Sequence, residues 1–238
     1  MRLLDLTLPT PAENLALDEA LLEAAEAGQS GEALRFWESA VPFVVLGYAN
    51  HANAEADLPA CKAAGIPVLR RASGGGTVLQ GPGCLNYSLV LNCDRPGLHS
   101  IPAANRAVME TNRAALQSLL PGKVAVQGHT DLTFDGRKFS GNAQRRKRQH
   151  LLFHGTFLLH FDLALIDTAL RMPTHQPTYR QSRAHRDFVC NVGLSGDVVR
   201  AAIASAWRAS DGAGEPPVDA VARLVAEKYS LSEWNRKF

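Results

Sequence analysis

The sequence has few of the features that mark secreted, membrane-bound or zinc-containing proteins. Its four cysteines, Cys61, Cys84, Cys93 and Cys190, show neither a C-x-x-C spacing nor a paired-histidine pattern. That argues against a zinc site and against a disulfide framework. No apolar run approaches the length of a membrane span, and Asp5 brings an acidic residue too early for a signal peptide. We therefore expect a reduced, cytoplasmic protein that does not engage a membrane.

Charge of one sign is not in excess either. The formal net charge is +2 over 238 residues, so no broad cationic field marks nucleic acid as a partner. The hydrophobic fraction of 46% is enough to bury a full core. Strand-like and helix-like stretches follow one another without a strict β-α-β alternation, which favours an α+β fold over a doubly wound parallel sheet.

Glycine is concentrated in one stretch, residues 68–79, where three consecutive glycines follow Arg70, Arg71 and Ser73. The flanking apolar runs predict a strand, a tight loop and a second strand. Three adjacent glycines are costly to order. A ligand that approaches the backbone closely and accepts hydrogen bonds from its N–H groups would compensate for that cost. With two arginines alongside, the expected ligand is anionic; the alternative is a flexible hairpin tip.

Two further stretches carry candidate functional residues. Asp135 and Gly136 predict a hairpin that sets Asp131 against Lys138 or one of its neighbours. Lys138 precedes a run of small residues, which favours a role in gripping a carboxylate or phosphate, although most lysines are simply solvated. Residues 153–159 read as a strand that opens with His154, and a lone histidine is more often structural than catalytic.

The first helix has a clear start. Thr10, Pro11 and Glu13 form the pattern of a capping box with proline at the first helical position. Asp18 and Glu19, together with the other acidic residues of this helix, are expected to form a solvated face.

Residues 70–77, 131–143 and 154–159, in this order and spacing, resemble the lipoate-protein ligase catalytic domain of the biotin/lipoate ligase and octanoyltransferase superfamily. Residues 14–21 resemble the family's first helix, and residues 227–235 resemble its closing segment. The resemblance implies a mixed, largely antiparallel sheet flanked by helices. It also implies an enzyme that activates lipoate with ATP to an acyl-adenylate and transfers the lipoyl group to a lysine of a carrier domain.

The resemblance also implies roles for single residues. Lys138 matches the catalytic lysine, and Arg70 matches a position that offsets the charge of carboxylate and phosphate. Asp131 would orient Lys138 or a magnesium-bound phosphate. The implied substrate- and nucleotide-binding residues are Arg70, Ser73, Gly74, Gly75, Gly76, Thr77, Asp131, Ser140, Gly141, Ala143, His154, Gly155 and Thr156. ATP and magnesium are the implied cofactors. The implied acceptor is a lipoyl domain of a 2-oxoacid dehydrogenase subunit or an H-protein-like carrier.

Three departures keep other functions open. Gln80 and Gly81 stand where many members of the family have a His-Asp pair. Tyr48 is similar to the residue that the octanoyltransferase branch has at this position, where ligases often have arginine. That branch uses a cysteine nucleophile, yet neither residues 127–131 nor residues 152–153 supply one. The alternatives are an octanoyl or lipoyl transferase that needs no ATP and a non-catalytic lipoate-binding subunit.

The resemblance to lipoate ligases and one basic run of the sequence both raise the question of protein partners. Many lipoate ligases carry a C-terminal accessory domain, and we expect residues 1–238 to form a single catalytic domain without it. A separate small subunit would then supply the missing part, unless the chain works alone. The basic run at residues 145–148 is either a docking patch for an acidic carrier domain or a solvated hairpin tip.

Overall fold

The computed structural model describes residues 1–212 and 214–238. The strands are β1 (Arg2–Asp5), β2 (Ala33–Trp37), β3 (Phe43–Leu46), β4 (Val68–Arg70), β5 (Val78–Gln80), β6 (Cys84–Asn92), β7 (Val124–Gln127), β8 (Asp131–Phe134), β9 (Arg137–Arg146), β10 (His150–Leu158) and β11 (Ser210–Asp211). The helices are α1 (Pro11–Glu26), α2 (Ala52–Glu55), α3 (Leu58–Ala63), α4 (Ile101–Gln117), α5 (Ala164–Ala169), α6 (His185–Phe188), α7 (Gly196–Ala206), α8 (Val218–Leu224) and α9 (Ser232–Asn235). A 3-10 turn (Thr178–Arg180) and a π-helical turn (Val225–Tyr229) complete the elements of these residues.

The larger sheet is mixed and mostly antiparallel. Its strand order is β11-β1-β2-β6-β10-β9-β8-β7. Strand β1 runs parallel to β2 and β11, whereas the other neighbouring pairs are antiparallel. Helices pack on both faces: α4 and α7 on one side, and α1 with α8 on the other. The α+β class and the largely antiparallel sheet expected from the sequence are both confirmed.

A smaller sheet holds the glycine loop. Its order is β4-β3-β5, so β3 separates the two strands that flank the loop. Strand β6 does not pair back on β5 as a simple meander would require; it lies between β2 and β10 in the larger sheet. Strand β6 is buried along nearly its whole length, and partners on both edges satisfy its backbone groups.

Helix α1 is capped as the sequence predicts, with the side chain of Thr10 bonded to the backbone of Glu13 and the reverse bond present. Its acidic residues do not form a solvated face, and that expectation is wrong. Asp18 is 2% exposed and Glu19 is 3% exposed. The helix is covered on nearly all sides, by the sheet and by the C-terminal segment, so these carboxylates need internal partners.

Both carboxylates have such partners. Arg35 of β2, which is fully buried, places Nη1 2.7 Å from Oδ1 of Asp18. Glu19 accepts hydrogen bonds from Lys228 and from the hydroxyl of Tyr229. Burial alone would raise the pKa of Asp18, but Arg35 and His154 hold it below its usual value. These two buried contacts join α1 to the sheet and to the C-terminal segment.

We predict that Asp18→Asn lowers the free energy of unfolding by about 3 to 5 kcal/mol, because Arg35 would be left buried without its countercharge. Since the pKa of Asp18 is lowered on folding, its contribution is present above about pH 4 and is lost as the pH falls further. Urea denaturation at pH 7 and at pH 3 checks both points. The exposed Asp5→Asn is the matched control and should change stability little. A variant Asp18→Asn as stable as the wild type at pH 7 would contradict the prediction.

Candidate active site

A cavity of about 420 Å³ opens where the glycine loop faces strands β8, β9 and β10. Many of the residues implied by the sequence lie on its wall: Gly75, Gly76, Thr77, Asp131, Lys138, Gly141, Ala143, His154, Gly155 and Thr156. The three separate stretches of sequence therefore meet around one space.

The floor of the cavity is a row of residues that crosses five strands of the larger sheet. The strand register pairs Trp37 with Asn86, Asn86 with Thr156, Thr156 with Gly141, and Gly141 with Asp131. Residues paired in this way project from the same face of a sheet. The row thus runs from an acidic residue at one end to an indole at the other.

Lys138 is held at the acidic end of this row. Its Nζ lies 2.8 Å from Oδ1 of Asp131, and the hydroxyl of Tyr179 donates to the other oxygen of Asp131 over 2.7 Å. Burial and then the charge of Asp131 raise the pKa of Tyr179, so the phenol keeps its proton. A Cβ on Gly141 would lie only 2.8 Å from Nζ of Lys138. The glycine leaves room for the ammonium group on the cavity floor.

The hairpin that brings these residues together is the one expected from the sequence. Asp135 and Gly136 have φ values of 47° and 81°, the two positive values that a type I′ turn requires. Residues 133 and 138 are paired across the hairpin, and a bulge between Leu132 and Thr133 shifts the register beyond them. Lys138 and Asp131 are therefore placed by local sequence.

Asp131 fits an ion pair better than a metal site. Both of its oxygens already accept from a donor, Lys138 or Tyr179. In the part of the chain that the structure describes, no group of three or more His, Cys, Asp or Glu side chains could hold a metal ion. The expectation of a magnesium ligand at Asp131 gains no support from this geometry.

The two arginines before the glycine loop have different positions, and the expectation for Arg70 needs correction. Arg70 is fully buried and does not line the cavity. Its guanidinium donates to carbonyl oxygens of the loop after β3 and of the C-terminal segment, namely those of Gly47, Tyr48, Asn50, Trp234 and Asn235. Because neighbouring residues of a strand point to opposite faces, only one of the two arginines can reach the cavity. Arg70 joins two parts of the backbone.

Arg71 is the arginine on the cavity wall. It is 8% exposed and donates to the carbonyl oxygens of Gly74 and Gly76 and to the hydroxyl of Ser73. Burial lowers its pKa to about 10, so it is still charged at neutral pH. Among the described residues it has no carboxylate partner. Its charge is therefore available to an anionic ligand.

The glycine loop is shaped by one close backbone contact. Gly75 has a φ of 85°, and its carbonyl oxygen sits where a Cβ on Gly47 would be. Gly47 therefore has to be glycine for the loop to fold as it does. Apart from the adjacent residues of the chain, no atom of the part that the structure describes lies within 4 Å of a Cβ built on Gly74 or Gly76. These two glycines are not required by packing within the chain.

His154 lies in a chain of hydrogen bonds with two buried residues. Its Nε2 is 2.6 Å from the hydroxyl of Ser73, and its Nδ1 is 3.4 Å from Oδ2 of Asp18. Asp18 and His154 line the cavity, whereas Ser73 does not. Gly74 also lies off the cavity, and Ser140 lines an adjoining space of about 100 Å³. Sequence reasoning treated Asp18 as surface and did not find this connection.

Sequence reasoning also missed the segment between α5 and α6. Arg180, 4% exposed, lines both spaces and stacks over the ring of Phe188 at 4.6 Å. Like Arg71, it has no carboxylate partner among the described residues. Burial lowers its pKa. The segment has little regular structure, and no sequence signal marked it.

No cysteine of the described chain lines the cavity, and all four are buried. Burial raises the pKa of the Cys84 thiol to about 12. A thiol of this kind is protonated at neutral pH and is a poor nucleophile. The geometry supports the interpretation of Cys84 as a buried apolar residue.

The basic run at 145–148 is largely engaged within the chain. Arg145 lies 3.2 Å from Glu19 and donates to the carbonyl of Ala72, and Arg146 donates to the carbonyl of Leu98. Nζ of Lys147 lies 3.8 Å from Oε1 of Glu23. Arg148, at the hairpin tip, is the most exposed of the four residues. This pattern favours the hairpin-tip interpretation over a docking patch.

The chain belongs to the lipoyl protein ligase A/B catalytic domain family, whose model matches residues 10–200. Lipoate-protein ligase A subunit 1 of Thermoplasma acidophilum is 30% identical over 97% of this chain and 95% of that protein. Octanoyltransferase LipM of Geobacillus kaustophilus is 30% identical over 79% of this chain and 74% of its own length. The family thus includes both ligases and transferases.

Solved structures agree with the family in fold. A T. acidophilum protein described as a lipoate protein ligase, with bound lipoic acid, superposes with a TM-score of 0.84 at 27% identity, covering 100% of this chain and 98% of that one. A lipoate-protein ligase A bound with ATP superposes with a TM-score of 0.83 at 29% identity, covering 99% of this chain and 98% of that one. A bipartite T. acidophilum ligase, studied with its E2 lipoyl domain, superposes with a TM-score of 0.83 at 27% identity, covering 99% of this chain and 95% of that one.

In the described residues, no helix is long and apolar enough to cross a membrane.

Proposed function

We propose that this chain is an ATP-dependent lipoate-protein ligase. It activates lipoate to lipoyl-AMP and transfers the lipoyl group to a lysine of a carrier domain. The observation that carries the proposal is the cavity itself, where Lys138 and Arg71 present positive charge beside a glycine loop whose backbone is open to a ligand.

The first step needs positive charge because it brings two anions together. A carboxylate oxygen of lipoate attacks the α-phosphorus of ATP, the bond to the β-phosphate breaks, and pyrophosphate leaves. Cationic groups that are already in place lower the cost of this approach. Arg71, Arg180 and Lys138 line the same cavity, and neither arginine has a carboxylate partner among the described residues. We assign them to the carboxylate and the phosphates.

Lys138 is the best-placed of these groups. Asp131, which itself accepts from the hydroxyl of Tyr179, fixes the ammonium group from one side, and the absence of a side chain at Gly141 leaves it open to the cavity. Positioning of this kind removes the need to reorganise charges during the reaction. Magnesium, which neutralises nucleotide phosphates in many enzymes, would be carried here mainly by the nucleotide, and no step is assigned to it.

The second step needs only a good leaving group. The amine of the acceptor lysine attacks the acyl carbonyl carbon, the bond to the AMP oxygen breaks, and the amine loses a proton as the amide forms. The ligase relative studied with its E2 lipoyl domain supports a lipoyl domain as the acceptor. The names of the bipartite ligase and of the subunit relative support a second subunit as a partner.

The apolar end of the cavity suits the acyl chain. Leu15, Trp37, Val45 and Val78 line it and come from α1, β2, β3 and β5. Apolar lining with a few polar groups is usual for sites that bind small organic ligands. The relatives with bound lipoic acid and bound ATP support this pair of substrates.

Transfer of octanoyl or lipoyl groups without ATP is the second candidate, favoured by the LipM relatives. That reaction needs a nucleophile that can hold the acyl group. Among the described residues no cysteine lines the cavity, and the hydroxyl of Ser73, although bonded to His154, lies off it. The geometry therefore supports the ligase reaction better.

We predict that Lys138→Ala lowers lipoate-dependent ATP–pyrophosphate exchange by at least about 100-fold, because the charge that faces the carboxylate and α-phosphate would be lost. Lys123→Ala, an exposed lysine outside the cavity, is the matched control and should exchange like the wild type. Exchange by Lys138→Ala at the wild-type rate would show that the central assignment is wrong.

The glycine loop gives a second test of the proposal. No contact among the described residues requires glycine at 74 or 76, and of these two glycines Gly76 lines the cavity whereas Gly74 does not. We expect Gly76→Ala to keep the wild-type melting temperature and to weaken ATP binding by about tenfold or more, because its methyl group would meet the ligand. Gly74→Ala should match the wild type in both measurements. Equal ATP affinity for Gly76→Ala would mean that the ligand does not approach the loop.

A further inference from the structure

A chain of hydrogen bonds runs through the larger sheet to the turn that precedes β8. Nε1 of Trp207 donates to Oδ1 of Asn112 over 2.7 Å, and Nδ2 of Asn112 donates to the hydroxyl of Tyr87 over 2.8 Å. That hydroxyl donates to Oδ1 of Asn142 over 2.7 Å, and Nδ2 of Asn142 donates to the carbonyl oxygen of Thr130 over 2.7 Å. Asn112 and Tyr87 are fully buried. The bonds connect α4 to β6, to β9 and finally to the turn.

The direction of each bond is fixed by the indole at the start of the chain. An indole N–H can only donate, so the amide of Asn112 presents its oxygen to Trp207 and its N–H₂ group to Tyr87. The Tyr87 hydroxyl, which accepts from Asn112, gives its only proton to Oδ1 of Asn142. Nδ2 of Asn142 consequently faces Thr130. Although Asn142 borders the cavity, both ends of its amide are used within the chain.

Gly155 leaves the space that the amide of Asn142 occupies. It stands between Tyr87 and Asn142 in the strand register, and a Cβ built on it would overlap Oδ1 of Asn142. The sequence resemblance implied a ligand-binding role for this glycine. The geometry gives it a reason within the chain, because the side chain of Asn142 has to cross β10 to reach Tyr87.

The last bonds of the chain reach the end of a strand pairing. The pairing of β8 with β9 ends at Asp131 and Gly141, and a bulge interrupts it only two residue pairs before that end. Strand ends open more readily than well-packed strand centres. Asn142 holds the next residue, Thr130, through Nδ2 and through its own carbonyl oxygen, which accepts from the Thr130 hydroxyl over 2.6 Å. These two bonds continue the connection between the strands past Asp131.

We propose that Asn142 is a positioning residue for adenylation. It fixes Thr130 and thereby the adjacent Asp131, whose Oδ1 lies 2.8 Å from Nζ of Lys138. The inference rests on the proposed function, in which Lys138 faces the carboxylate and the α-phosphate. Since a displacement of about 1 Å can cost about 100-fold in rate, a loosened Asp131 would slow the reaction while every group assigned to substrate binding stayed in the chain.

A double-mutant cycle tests the inference, with rates expressed per folded molecule. We expect Asn142→Ala to lower the single-turnover rate of lipoyl-AMP formation by about tenfold. In the Lys138→Ala background the same change should lower it by less than about twofold, because the group that Asn142 positions is absent. A merely structural defect would lower both rates by the same factor. Tyr87→Phe, which removes the hydroxyl that holds Asn142, should show the same dependence on Lys138 with a smaller effect, and it decides the question if Asn142→Ala does not fold.

Asn191→Ala is the matched control. Asn191 also holds a loop through both ends of its amide, which bond to the backbone of Phe161, but it lines neither the cavity nor the adjoining space. It should keep the wild-type rate. A wild-type rate for Asn142→Ala, or equal losses in the two backgrounds, would overturn the inference, and adenylate formation by the wild type would leave the proposed function standing. Absence of adenylate formation by the wild type would overturn the proposed function and the inference with it.

Discussion

The site depends on one ion pair placed on the face of an antiparallel sheet. Lys138 and Asp131 come from the two strands of a single hairpin, and the glycine at 141 leaves room for the ammonium group above the sheet. Tyr179 closes the other side of the carboxylate. Since the pair is only partly exposed, the lysine is held in place before any ligand arrives. Arg71, Arg180 and the apolar side chains assigned to the acyl chain line the same cavity.

The loop opposite this pair is built by a division of roles between two adjacent arginines. Arg70 ties the loop after β3 to the C-terminal segment through five backbone carbonyls. Arg71 donates hydrogen bonds to carbonyl oxygens of the glycine loop, and its charged side chain lines the cavity. One arginine therefore joins two parts of the backbone, and the next lies on the cavity wall. This arrangement explains why the glycine loop, weak by itself, can have a defined shape.

Short-range signals predicted much of this site. The Asp135-Gly136 turn alone indicates the hairpin, and the hairpin places Lys138 near Asp131. Long-range placement could not be predicted in the same way. Whether Arg70 or Arg71 faces the cavity depends on which face of the short strand β4 is turned toward it. Asp18 has the sequence pattern of a surface residue, and only the structure shows Arg35 beside it. Arg180 lies in a segment without periodicity, so only the folded chain brings it to the site.

In the proposed reaction the chain first activates its acyl substrate with ATP. The most direct measurement is a single-turnover reaction of the wild-type chain with lipoate and ATP in the absence of any acceptor, followed by mass spectrometry of the bound product. The proposed ligase reaction predicts that lipoyl-AMP and pyrophosphate accumulate in equal amounts. Absence of the adenylate, together with transfer of octanoyl groups from a carrier thioester without ATP, would contradict it.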